Sequence, residues 1–93
     1  MAYNLLISYD LIPPGQKYEQ VIETITSLGS YRKLQYSLFY LNTQLTPGEV
    51  YTRVGAVMDA NDNLVVANVY GMILCEPEAV CDAINQVWFA NAA

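Results

Sequence analysis

The chain has 93 residues, 54% of them hydrophobic and 14% charged, with nine acids, four bases and no histidine. That is material for a single domain spanning 1–93 with one core, and it excludes histidine-ligated metal sites and histidine acid–base catalysis within this chain. The acidic balance disfavours a tight grip on a phosphate backbone, which needs several cations on one surface; it suits solubility or a basic protein partner.

Tyr3 to Asp10 alternates, with Tyr3, Leu5, Ile7 and Tyr9 on one face and Asn4, Leu6, Ser8 and Asp10 on the other. Period-two patterning of aromatic and aliphatic residues predicts a strand, and apolar side chains on both faces predict a central one. Ile12-Pro13-Pro14-Gly15 ends it, because proline has no N–H to donate and turns its predecessor away from helix. Asp10 is thereby left at the C-terminal lip of a central strand, as a candidate site residue or as a simple loop cap.

A helix is predicted from about Gln16 to Leu28, with Tyr18, Val21, Ile22, Ile25 and Leu28 forming its apolar stripe. Glu19 suits the positive end of the helix dipole, and Gly29 is placed to stop the helix in a left-handed cap. Tyr31 to Asn42 is aromatic-rich and extended, too long for one strand here, so a bend or tight hairpin is predicted near Leu34 to Tyr36. Thr46-Pro47-Gly48-Glu49 then carries a capping box with proline at the first helical position. Val50, Val54, Val57 and Met58 give the buried stripe of that second helix.

Asp59 to Asn63 reads as a turn. A β-prone run follows from Leu64, with Gly71 as a candidate break. Glu76-Pro77-Glu78 opens a third helix with the stripe Val80, Ala83, Ile84, Val87 and Trp88. Cys75 and Cys81 have no metal-ligand spacing and read as reduced thiols of an intracellular protein, one or both buried. No signal-peptide pattern or membrane-spanning run is seen, so the expectation is a cytoplasmic chain with no membrane association.

Strand, helix, extended pair, helix, strand and terminal helix predict an α+β fold. Two βαβ-like halves with both helices on one face give a ferredoxin-like βαββαβ sandwich with an additional C-terminal helix. The second sheet face would be bare unless the terminal helix or a second copy covers it. A homodimer would form there.

Tyr9-Asp10 at the end of the first strand, Gly29 after the helix, and Gln35-Tyr36-Ser37-Leu38-Phe39 form an ordered set. With the Thr-Pro-x-Glu helix start, this set resembles the Cas2 and VapD group, most closely its short SinR-like members, over roughly Tyr3 to Asn68. The resemblance implies a ferredoxin-like homodimer acting on nucleic acid as a metal-dependent phosphodiesterase. Asp10 would be its catalytic residue and Mg²⁺ ligand, approaching the Asp10 of the other protomer. Two hard carboxylates can hold a hydrated Mg²⁺, whereas two such charges close together are costly without a cation. Tyr9 and Ser37 are the accompanying substrate-binding candidates.

Two further readings come from the residues alone. Eight tyrosines, among them Tyr3, Tyr9, Tyr36 and Tyr40, could stack nucleic-acid bases from a sheet surface or simply pack the core and a dimer. The acids Glu19, Glu23, Asp59, Asp62, Glu76, Glu78 and Asp82 are either ordinary solvated charges or mimics of a phosphate array. A non-catalytic acidic inhibitor of the mobile-element type, docking on a basic nucleic-acid-handling complex, is the alternative function.

Overall fold

A computed structural model describes residues 2–70 and 78–90 of the chain. Its elements are β1 (Tyr3–Asp10), α1 (Tyr18–Thr26), β2 (Ser30–Gln35), β3 (Leu38–Thr43), α2 (Pro47–Gly55), β4 (Asn63–Asn68) and α3 (Glu78–Ala90). Together they form a small α+β domain whose four-stranded sheet has the order β2-β3-β1-β4, with every neighbouring pair antiparallel.

β1 is central, as its two apolar faces predict: Ile7 is opposite Phe39 of β3 on one side and Val66 of β4 on the other. Its two faces differ in depth. Leu5, Ile7 and Tyr9 point into the core beneath α1 and α2, where Phe39, Leu41, Val21, Ile25, Val50 and Val54 join them. Ser8 and Asp10, on the other face, are exposed. β3 behaves differently, being buried at five consecutive positions from Phe39 to Thr43. The cause is α3, which lies over the β2–β3 half of the second face. Trp88 packs on Tyr40 with ring centroids 5.5 Å apart, and the Asn42 side-chain amide donates to the Trp88 carbonyl at 3.4 Å. The terminal helix therefore covers part of the face that would otherwise be bare.

That cover is registered by a buried polar network. The Oδ1 of Asn4 accepts from the Tyr40 hydroxyl at 2.6 Å and from the Asn42 amide at 2.7 Å. Polar groups buried under a helix are tolerated only when paired, and one acceptor on β1 here serves two donors on β3. Burial raises the Tyr40 hydroxyl above the usual phenol pKa, with the Asn42 side chain pulling it partly back.

The first two helices form in the expected places, except that α2 ends at Gly55, leaving Val57 and Met58 of its expected stripe past the helix and half-buried. Val21 and Ile25 of α1 are fully buried, with Tyr18, Ile22 and Leu28 packed around them. The helix begins at Tyr18 rather than Gln16, because Gln16 adopts φ 42° in the preceding loop and donates its side-chain amide to the Leu11 carbonyl at 3.1 Å. In α2 both halves of the capping box are present: Glu49 N–H donates to Thr46 Oγ1 at 3.2 Å and Thr46 N–H donates to Glu49 Oε1 at 3.0 Å.

Gly29 differs from expectation. α1 ends at Ser27 in an ordinary right-handed conformation, and no described glycine has positive φ. The glycine is needed for space instead. A Cβ at position 29 would run into the carbonyl oxygen of Asn42 and lie 3.2 Å from the Cα of Thr43. The long aromatic stretch does split into a hairpin, turning at Tyr36-Ser37 after a register shift between Lys33 and Gln35. Gly71, Cys75 and the Glu76-Pro77 helix start lie outside the described residues.

Candidate functional site

The C-terminal end of β1 is assembled by two acidic side chains of the loop between α2 and β4. Asp62 accepts from the Ile12 N–H at 2.8 Å and from the Asp59 N–H at 2.8 Å, so one carboxylate ties the loop after β1 to the turn before β4. Asp59 packs against Gly15 and pairs with Lys17 at 3.2 Å, pinning the start of α1 to the same turn. These two acids, read from the sequence as either solvated charges or phosphate mimics, tie separate loops of the chain together.

The result is a held lip that presents Asp10. Its side chain is exposed, and its register partner across the edge is Asn63 at the start of β4. Ser8, also exposed, shares that face and sits opposite Leu38 on one side and Val65 on the other. Directly opposed residues on antiparallel strands bring their side chains within contact range. The lip thus holds a carboxylate, an amide and a hydroxyl in one open region.

The three residues singled out in the sequence reach the same end of the sheet but not the same side. Ser37, at the hairpin turn, accepts from the Tyr9 N–H at 3.1 Å through its backbone carbonyl. Tyr9 points away from Asp10, into the core, where only 3% of it is exposed. Its ring lies 6.4 Å from those of both Tyr18 and Phe39. Its hydroxyl is buried and, among the described residues, has no hydrogen-bond partner. Burial, followed by the neighbouring phenols of Tyr18 and Tyr36, pushes that hydroxyl above its ordinary pKa.

Asp10 and Asn63 are hard oxygen donors of the kind Mg²⁺ takes, and this cation keeps most of its water and needs only one or two carboxylates. Among the described residues no group of three or more cysteines and acids is placed to hold a metal.

No family model, curated protein or solved structure matches this chain.

A second feature was only half visible in the sequence. Tyr40, considered there for base stacking, is fully buried, whereas Tyr36 is 76% and Tyr31 45% exposed. Both belong to the β2–β3 hairpin, with Arg32 and Lys33 exposed between them. The Lys33 ammonium lies 5.2 Å from the centre of the Tyr36 ring, which meets Tyr18 edge-on at 6.2 Å. The useful clue was that no acid occurs between Glu23 and Glu49. At the other end of the sheet an open cleft of about 320 Å³ is lined by Ser27, Gly29, Asn42, Gln44 and Arg53 among others, away from the predicted site residues. Among the described residues, no helix is long and apolar enough to cross a membrane.

Proposed function

We propose that this protein is a ferredoxin-like, homodimeric, nucleic-acid-associated protein of the Cas2/VapD type, with Asp10 at its functional centre. The sheet order supports the fold half of that reading. β3 lies between β1 and β2, and β1 lies between β3 and β4, so two βαβ halves interlock as in a split βαβ pair. Both α1 and α2 pack on one face of that sheet.

The observation that carries the functional half is the exposure of Asp10 at the end of the central strand, on the part of the second face beside β4. Val65, 60% exposed on that face, and Leu6, half-buried, give a second copy apolar surface to cover. A two-fold contact there would bring one Asp10 toward the other. The Mg²⁺ held by such a pair would neutralise phosphate charge and acidify a bound water. The chain's own part is to hold the two carboxylates on a rigid lip, fastened by Asp59 and Asp62, and to leave Ser8 and Asn63 free to orient a phosphate oxygen or water.

The test is a cleavage assay with Mg²⁺ or Mn²⁺ on single- and double-stranded RNA and DNA, run beside Asp10→Ala and an EDTA control. Metal-dependent cleavage that the variant loses supports the reading. Absent cleavage, or cleavage retained by Asp10→Ala, refutes Asp10 as a catalytic centre.

One observation favours a second, non-catalytic reading. Glu19 and Glu23 are exposed one turn apart on α1, and neither forms an ion pair among the described residues. An acidic stripe of this kind suits docking on a basic protein surface. Charge reversal at Glu19 and Glu23 would then abolish a salt-sensitive complex without touching any cleavage.

A further inference from the structure

The distribution of charge is more informative than its sum. Residues 24–48 contain no acid and carry Arg32 and Lys33, while all nine acids fall elsewhere, against only Lys17 and Arg53. In the fold this acid-free segment contains the β2–β3 hairpin, and among the described residues β2 is an edge strand of the sheet. The hairpin is therefore a basic segment of an otherwise acidic chain.

The aromatic residues on that edge do not behave as core residues. Tyr36 exposes 76% of its surface at the turn, and Tyr31 exposes 45% while resting on Phe39 at 6.2 Å. Lys33 sits opposite Phe39 and Arg32 opposite Tyr40, so the two cations point to opposite faces of the edge strand. An ammonium 5.2 Å from an exposed phenol ring offers a cation and a π-surface together. A nucleotide offers the complement, a phosphate anion and a flat base on one backbone unit.

We propose that the β2 edge, with Tyr31, Arg32, Lys33 and Tyr36, is a binding surface for single-stranded nucleic acid. Bases stack on Tyr36 and Tyr31, a phosphate meets Lys33 on the same face as Tyr31, and Arg32 flanks the edge from the other face. Stacking on a phenol tolerates any base, so the surface is sequence-independent. Single strands are favoured because a duplex hides its base faces. A second copy of this chain is disfavoured there, since pairing one β2 edge with another would face Arg32 and Lys33 against their like; charged edge residues oppose such pairing. The inference deepens the nucleic-acid reading above but is independent of metal and of Asp10.

The experiment is fluorescence anisotropy of a labelled 12-nucleotide oligouridylate at low salt, in EDTA, with the intact chain. Working in EDTA separates this surface from any metal-dependent step, so binding can succeed where cleavage fails and the reverse. The expected results are saturable binding, about tenfold weaker in Tyr36→Ala and retained in Tyr36→Phe. Replacing both cations (R32Q with K33Q) flattens the dependence on salt, because about 0.7 counterion is released per phosphate contacted on a single strand. Tyr51→Ala, an exposed tyrosine on α2, controls for loss of any surface aromatic and leaves binding unchanged. Absence of wild-type binding overturns the proposal, as does equal binding by Tyr36→Ala. Displacement of the oligonucleotide by an equal charge concentration of polyglutamate also overturns it, by reducing the edge to a general anion patch.

Discussion

Asn4 is the residue through which the docking of α3 is most directly tested. Its Oδ1 is the acceptor for the Tyr40 hydroxyl at 2.6 Å and for the Asn42 amide at 2.7 Å, and Tyr40 is fully buried against Trp88. Asn4→Ala removes that acceptor. Asn42 keeps the Trp88 carbonyl, so the main loss falls on the Tyr40 hydroxyl. A buried donor deprived of its partner costs about 1–3 kcal/mol. With a smaller share from Asn42, the variant loses about 2 kcal/mol of stability. Tyr40→Phe removes donor and need together and costs about 0.5–1 kcal/mol, since Asn4 still accepts from Asn42. The double variant is then less damaged than the sum, with a coupling of about 1 kcal/mol.

Urea unfolding followed by the single tryptophan, Trp88, reads both global stability and the packing of α3 on Tyr40. At a slope of about 1.3 kcal/mol per molar urea, Asn4→Ala lowers the midpoint by about 1.5 M without changing the slope. An Asn4→Ala cost below about 0.5 kcal/mol would refute the reasoning, because so small a loss is what an exposed position gives. Strict additivity with Tyr40→Phe would refute it equally, since the two groups would not then be energetically joined.

Gly29→Ala tests whether that glycine serves space or backbone conformation: collision with the Asn42 carbonyl predicts a loss of about 2–3 kcal/mol by thermal melting, and wild-type stability would mean that β3 yields freely. Thr46→Ala removes the α2 cap and lowers stability by about 1 kcal/mol in the same assay, with Thr46→Ser close to wild type. Glu49 has its pKa lowered, first by the Thr46 backbone hydrogen bond and then by the Thr46 side chain, with Arg53 adding a little. A depressed carboxylate contributes stability above its unfolded pKa and loses it as pH falls through the folded value. Acid titration of stability should therefore show a decline below pH 4.5 that Glu49→Gln flattens. Tyr9→Phe deletes a buried hydroxyl that has no hydrogen-bond partner among the described residues and is expected to raise the melting temperature. Because burial raises the pKa of that phenol, its stabilising share is complete below pH 10.0 and fades as pH rises through the folded value. The variant should accordingly resist alkaline unfolding better than wild type, and an unchanged alkaline limb would count against the buried placement.

The order of elements was legible because it is written in local patterns. Period-two alternation marks β1, a 3.6-residue stripe marks α1, and Thr46 with Glu49 satisfies the first N–H groups of α2 whatever the rest of the chain does. Asp10 could be placed at the end of the first strand on the same grounds, and the pairing of β1 with both β3 and β4 makes that strand central. Nothing local separates Tyr36 from Tyr40, both in one aromatic run. α3 buries the second and leaves the first in solvent, and that choice depends on Asn42 meeting Trp88, 46 residues away. Likewise Asp62 looks like a turn acid until the fold brings it to the Ile12 N–H, 50 residues back. Gly29 carries the same lesson at shorter range: its position after a helix suggests a cap, but the requirement comes from the β3 backbone beside it. Local chemistry thus determined which elements form and where they start. Tertiary contact alone decided which side chains are covered, because burial depends on what arrives from distant parts of the chain.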